Sequence, residues 1–428
     1  MRLTQFLQKR YCRSCWAPLS PKRCTGRKGS RAHWEFCSVS HGQVAVDDIA
    51  RDGRAASSAR PRLLFFLPGL AMGGAERQTL ELMFGLRERG FPTKLLVFGP
   101  MTSALADNVL AEERYAQLDA KGMLRPLGWW RAWRALRRER TDIVVAVNQT
   151  PAVLAVAIGR ALRATWATVV IFHTTLLMPR ERARHGLFEW ATRAARALVF
   201  VSQNQAAYWK GKGLRSPAVH TIRNGVDLAR FQPDVVLRRR MRERLGFADQ
   251  TVVFGLLATF RPEKAHLDAI DAFSRVVQSG ADARLILVGD GPTRPMAERR
   301  AAARGVADRV IFAGEQEDVR PWLAALDVGL LCSTAVETFS LAALEILATG
   351  APMVMSDIGG ASEIVTDGHN GLLYPAGDKA ALTKALAALL EPDLRRTLGA
   401  NARPSVLRFS RERMLDDYQA LFEGMQTP

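Results

Sequence analysis

From Arg62 onward, short apolar runs of four to six residues alternate with amphipathic stretches. The first run, Leu63-Leu64-Phe65-Phe66-Leu67, has no polar alternation, as expected of a strand buried on both faces. A glycine turn follows, Gly69-Leu70-Ala71-Met72-Gly73-Gly74, and then a helical pattern through Leu86. Residues 94–98 read as the next strand, ended by Gly99-Pro100. Further on, 129–138 suits a helix, 142–147 a strand, 151–162 a helix, and 168–172, 197–201 and 218–222 strands. The rhythm restarts after Pro233, with strands at 252–257, 284–288, 309–312, 328–331 and 352–355. Helices fit at about 264–279, 293–304, 318–326, 340–349 and 378–391. Two such blocks predict an α/β fold with two doubly wound parallel sheets, each Rossmann-like. The expected division is a leader over 1–60, domains over 61–230 and 231–408, and a last helix within 409–428 that has no strand after it. Asn224-Gly225 and Pro233 mark the boundary.

Composition supports packed cores, with 48% apolar and 24% charged residues in 428. The longest apolar stretch, 143–158, is interrupted by Asn148-Gln149-Thr150-Pro151, so no transmembrane helix is expected. The N-terminus is basic but lacks the apolar core of a secretory signal, which favours a cytoplasmic location. Net charge is +18 and uneven: 12 basic against 4 acidic residues over 1–60, 25 against 13 over 61–235, and 23 against 25 over 236–428. The front half therefore suits an anionic partner, a lipid surface or nucleic acid, unless its arginines are simply solvated. No aromatic RNA-binding signature or zinc-finger spacing supports nucleic acid. Cys12, Cys15, Cys24 and Cys37 lie in the leader and only Cys332 in the body. The leader lacks the tight second pair of a zinc knuckle, so it reads as a disordered, basic segment rather than a metal site.

One segment carries the chemistry: Val336-Glu337-Thr338-Phe339-Ser340-Leu341-Ala342-Ala343-Leu344-Glu345. It follows a strand end and opens a helix. In doubly wound sheets ligands bind beyond the carboxyl ends of the strands, and a helix N-terminus there suits a diphosphate. Glu345 can accept hydrogen bonds from ribose hydroxyls and Glu337 from a sugar hydroxyl. A helix with a glutamate near its dipole and a second, exposed one would look the same taken alone. Beyond it, Gly359-Gly360 permits close approach of backbone to a ligand.

The ordered set of E-x7-E, the Pro352-Met353-Val354 strand, Gly359-Gly360 and Glu363 resembles the donor-binding core of the GT-B fold retaining glycosyltransferases of family 4 (glycosyl transferases group 1). Asn224-Gly225-Val226-Asp227, Arg261-Pro262-Glu263-Lys264, Val288-Gly289-Asp290-Gly291-Pro292 and Val310-Ile311-Phe312-Ala313-Gly314 extend the resemblance over about 62–425. It implies a UDP-, GDP- or ADP-sugar donor and a glycan or lipid-linked acceptor. It implies no metal and no other cofactor. By the same resemblance, Lys264 neutralises the donor diphosphate and Glu345 holds the ribose. Glu337, with Thr338 and the amides of Phe339, Ser340 and Leu341, grips sugar and phosphates. Gly73-Gly74 approaches from the other domain, and His173 sits near the reacting carbon. Two positions depart from the family pattern. Thr259 stands where an arginine is common, with Arg261 able to supply charge, and Ser340 replaces a glycine, where a side chain could crowd a phosphate. An epimerase of the same fold, and an inactive homologue acting as a partner subunit, are the alternatives.

Trp129, Trp133 and Leu136 share one face of a basic helix that also carries Trp130, Arg131, Arg134, Arg137 and Arg138. It fits a core helix with solvated arginines or an interfacial helix on anionic lipid, and peripheral docking on the inner face of the plasma membrane follows from the second reading.

Overall fold

A computed structural model describes residues 60–70, 73–101, 115–118, 126–177, 179–335 and 337–425. The leader expected over 1–60, with its cysteines, lies outside these residues except for Arg60.

The front lobe is built on seven parallel strands among the described residues: β1 (Leu63–Leu67), β2 (Thr93–Val97), β3 (Tyr115–Gln117), β4 (Ile143–Val147), β5 (Ala167–Phe172), β6 (Ala197–Phe200) and β7 (Val219–Thr221). Their order is β3-β2-β1-β4-β5-β6-β7. β1 shows why the apolar run has no alternation. Leu64 and Phe66 join the core on one side of the sheet, whereas Leu63, Phe65 and Leu67 join that on the other.

The second lobe has six parallel strands, β8 (Val252–Leu257), β9 (Ala283–Val288), β10 (Val310–Gly314), β11 (Val328–Leu331), β12 (Met353–Asp357) and β13 (Gly371–Pro375), ordered β10-β9-β8-β11-β12-β13. In both sheets the order reverses beside the first strand, between β1 and β4 and between β8 and β11. Such reversals leave a crevice at the carboxyl ends of the strands.

The chain crosses between the lobes twice, side by side. Val226 N–H donates to Phe409 O (2.9 Å) and Arg411 N–H to Val226 O (2.9 Å). After the second crossing the Arg411–Glu423 helix packs on the front lobe, where Met414, Leu415, Tyr418 and Phe422 join the core that holds β1. Ser410 caps it by accepting from Arg413 N–H at 3.2 Å. Gly85, inside the Gly74–Glu88 helix, is what lets the two helices approach, since a β-carbon there would lie 2.6 Å from a Leu415 methyl.

The sequence reading missed β3, β13 and the helices Pro179–Arg182, His185–Ala194, Gln203–Gly211, Val235–Leu245, Ala361–Ile364 and Pro392–Val406. The Trp helix runs Pro126–Arg138. Trp129 and Trp133 pack partly buried on the front core, but Trp130 is 50% and Leu127 55% exposed.

Candidate functional site

All eleven residues singled out above line one cleft of about 600 Å³, each placed by the end of a strand or the start of a helix. Gly73 and Gly74 follow β1 and open the first helix, His173 directly follows β5, Arg261 and Lys264 follow β8, and 337–341 follow β11.

Lys264 ends the short Pro262–Lys264 turn. Ala265 behind it has φ of +51°, a left-handed conformation that only a well-determined surrounding holds in a residue with a β-carbon. That bend aims the ammonium at Glu337, to which it donates at 2.7 Å. Glu337 is 7% exposed. The Ser333 hydroxyl donates to the same carboxylate oxygen at 2.9 Å. Lys264 and Glu337 therefore form one charge-paired unit rather than two independent groups.

Ser340 begins the Leu341–Ala348 helix. Its hydroxyl turns back and accepts from Ala343 N–H at 3.2 Å, which caps the helix start, and Leu341 and Ala342 after it line the cleft. The expectation that Gly359-Gly360 approaches a ligand is corrected. β-Carbons at these two positions would collide with the backbone carbonyls of Glu337 and Thr338, so the glycines permit protein backbone to pack on the site's turn. Gly360 N–H donates to Glu337 O at 3.0 Å. Near Thr259, Gly289 (φ +132°) and Gly291 (φ +150°) let the turn after β9 lie against the backbone of Ala258 and Phe260.

His173 is fixed by its backbone N–H, which donates to Asn148 Oδ1 at 3.0 Å. Asn148 itself holds φ of +62° at the end of β4, a second left-handed residue beside the cleft. Burial pushes the His173 imidazole down to about 4, so it stays neutral at physiological pH and keeps one donor and one acceptor.

Glu345 sits one turn into the helix, 3% exposed. Burial raises its carboxyl above the usual range, opposed first by Arg77 and then by Arg230. Arg77, on the front-lobe helix, donates to Glu345 Oε1 and was not singled out from the sequence. The signal available was an arginine four residues after Gly73 on a helix that opens toward the cleft. Three residues that line this cleft each hold a buried polar atom without a partner: Glu345 Oε2, Thr338 Oγ1 and His173 Nε2. Among the described residues, no group of three or more His, Cys, Asp or Glu is arranged to hold a metal ion.

Two family profiles match: Glycosyltransferase Family 4 over residues 72–230 and Glycosyl transferases group 1 over 251–392. Together they take in well over half of the chain and one falls on each lobe, so the chain belongs to the family 4 (group 1) glycosyltransferases and has their GT-B fold. Among curated proteins it is 30% identical over 207 residues to N-acetyl-alpha-D-glucosaminyl L-malate synthase of Bacillus anthracis, covering 48% of this chain and 53% of that protein. The chain spans 53% to 62% of the length of the first such relatives. Phosphatidyl-myo-inositol mannosyltransferase of Mycobacterium leprae is matched over 94% of its length and 83% of this chain at 26% identity. Among solved structures, Anabaena Alr3699/HepE in complex with UDP superposes with a TM-score of 0.72 at 22% identity, over 85% of this chain and all of that one.

Proposed function

We propose that this protein is a retaining, metal-independent glycosyltransferase that moves a sugar from a UDP-, GDP- or ADP-sugar to a glycan or lipid-linked acceptor of the cell envelope. The three partnerless buried atoms carry the reading. An unsatisfied buried polar group costs about 1–3 kcal/mol, so three of them on residues that line one cleft point to a ligand rich in hydroxyls. Beside them stand a lysine, Arg261 and an open helix N-terminus, which together suit a diphosphate.

In this reading Glu345 Oε2 accepts from the ribose. The diphosphate rests on the amides at the start of the Leu341–Ala348 helix, with Lys264 and Arg261 beside it. The sugar lies between Glu337 and His173. The acceptor enters past Gly73-Gly74, and its hydroxyl oxygen bonds to the anomeric carbon on the face the diphosphate leaves. The bond from that carbon to the phosphate oxygen breaks, and the hydroxyl proton passes to the departing diphosphate. Lys264, Arg261 and the helix amides stabilise the negative charge that grows there, the electrostatic strategy available to a preorganised site. The lipid-linked acceptor draws support from the mycobacterial relative, a phosphatidyl-myo-inositol mannosyltransferase.

Incubation with UDP-, GDP- and ADP-sugars tests this. One series should raise the melting temperature and release its nucleoside diphosphate. An epimerase would return an altered nucleotide sugar, an inactive homologue would bind without turnover, and binding of none of the three would remove the reading.

Docking on the inner face of the plasma membrane belongs to the same proposal. No helix among the described residues is long and apolar enough to cross a membrane. The Pro126–Arg138 helix instead exposes Leu127 and Trp130, with Arg134 stacked 5.4 Å from the Trp130 ring. Basic residues near anionic lipid contribute up to ~1 kcal/mol each. Co-sedimentation with phosphatidylglycerol vesicles should therefore be strong at low salt, fall as salt rises, and weaken when Arg134, Arg137 and Arg138 become Gln. Equal recovery with neutral vesicles would rule out electrostatic docking.

A further inference from the structure

Arg77 lies on the Gly74–Glu88 helix, one turn beyond the glycine turn, and reaches out of its own lobe. Its guanidinium donates to Glu345 Oε1, 268 residues away in sequence. The Arg77 side chain is 39% exposed and that of Glu345 only 4%. The lobes also touch close by, where Gly74 faces a Leu341 methyl at the start of the donor helix. Only one oxygen of the carboxylate is taken. The other, Oε2, is buried without a partner, in a residue that lines the cleft.

We propose that Arg77 is a positioning residue that reaches across the cleft and clamps Glu345 through one oxygen, leaving the other aimed at the donor ribose. This rests on the glycosyltransferase reading and adds to it a role for the front lobe in binding the nucleotide. Two consequences follow from the geometry. The carboxylate is fixed in one rotamer before the nucleotide arrives, so less freedom is lost on binding. Its charge is also sustained in a buried place by a cation from the opposite lobe, so that ribose recognition requires the two lobes to be together.

The charged groups around Glu345 set the direction of the pH effect. Arg230, from the segment after the first crossing, also attracts it. Glu81, on the same helix as Arg77, repels it, and Arg411 stands 3.8 Å from Glu81. Burial favours the protonated acid, and removal of Arg77 favours it further. A protonated carboxyl is a poorer acceptor for ribose hydroxyls. The loss on removing Arg77 is therefore largest between the titration point of Glu345 in the parent and the higher one in the variant, and shrinks as pH rises above both.

The test is calorimetric titration, between pH 5.5 and 8.5, of the full chain and its Arg77→Ala and Arg77→Lys variants. The ligands are the nucleoside diphosphate that the parent binds and its 2′,3′-dideoxy analogue. Arg77→Ala should weaken the ribonucleotide about tenfold where the variant's Glu345 is protonated and the parent's is not, and less at the alkaline end, with Arg77→Lys recovering part of the loss. The dideoxynucleotide should bind parent and Arg77→Ala alike, because it offers nothing to Glu345. An equal loss for both nucleotides would mean that Arg77 meets the phosphates directly, and the inference would be wrong. Unchanged ribonucleotide affinity in Arg77→Ala would also overturn it while leaving the enzyme assignment standing. A parent that binds no nucleoside diphosphate would overturn both.

Discussion

Replacement of Lys264 by alanine should lower kcat by about 100- to 1,000-fold, the range seen when a preorganised group that meets developing charge is removed. In the proposed reaction the charge appears on the departing diphosphate, and the Lys264 ammonium is the cation that the Pro262–Lys264 turn aims into the cleft. The same change leaves Glu337 with only the Ser333 hydroxyl as partner at 7% exposure. Stranding a buried charge is itself destabilising, so a fall in melting temperature is expected alongside the loss of turnover. The two effects separate when the pair Lys264→Met with Glu337→Gln, which removes both charges, is compared with Glu337→Gln alone. Stability should return while turnover stays well below that of Glu337→Gln. If the pair matched Glu337→Gln in turnover, Lys264 would be a structural partner of Glu337 and nothing more.

The second large effect is expected at Glu345. Glu345→Ala should weaken donor nucleotide binding by about 1–3 kcal/mol, or about fivefold to 150-fold, as for a lost hydrogen bond to a charged acceptor. The helix it occupies should persist, because Ser340 caps its start and Leu344, Ile346 and Leu347 are fully buried. Equal nucleotide affinity in parent and variant, read by calorimetry, would remove Glu345 from the donor site.

Much of this was legible in the chain. β1, β4, β5 and β8 announce themselves because strands covered on both faces carry uninterrupted apolar runs. β3 does not, because it is three residues long and two of them are exposed. β13 was read as a motif, since it opens on Gly371 in a turn-rich sequence. The helix Val235–Leu245 hides for a different reason. Val235 and Val236 at its start are exposed, and it is tied down mainly by arginines: Arg238 donates to Leu326 O at 2.7 Å and Arg242 to Thr251 O at 2.7 Å. In the cleft, Glu337 and Glu345 are legible because they share one turn and one helix, so local spacing places them. The Arg77–Glu345 contact is not, because it depends on how two lobes meet. The effects of Ser340 and Gly359-Gly360 also needed coordinates, since a hydroxyl's direction and the neighbour a glycine admits are tertiary facts.

The central claim is that this cleft breaks the bond between sugar and diphosphate and forms the new bond on the same face. Its most direct test is the NMR spectrum of the glycoside formed when methanol serves as surrogate acceptor with α-linked UDP-, GDP- and ADP-sugars. A methyl glycoside keeps its anomeric configuration once made. The account predicts a methyl α-glycoside from one donor series, with release of the matching nucleoside diphosphate. A methyl β-glycoside would contradict retention, and full recovery of all three donors unchanged would contradict the glycosyltransferase reading itself.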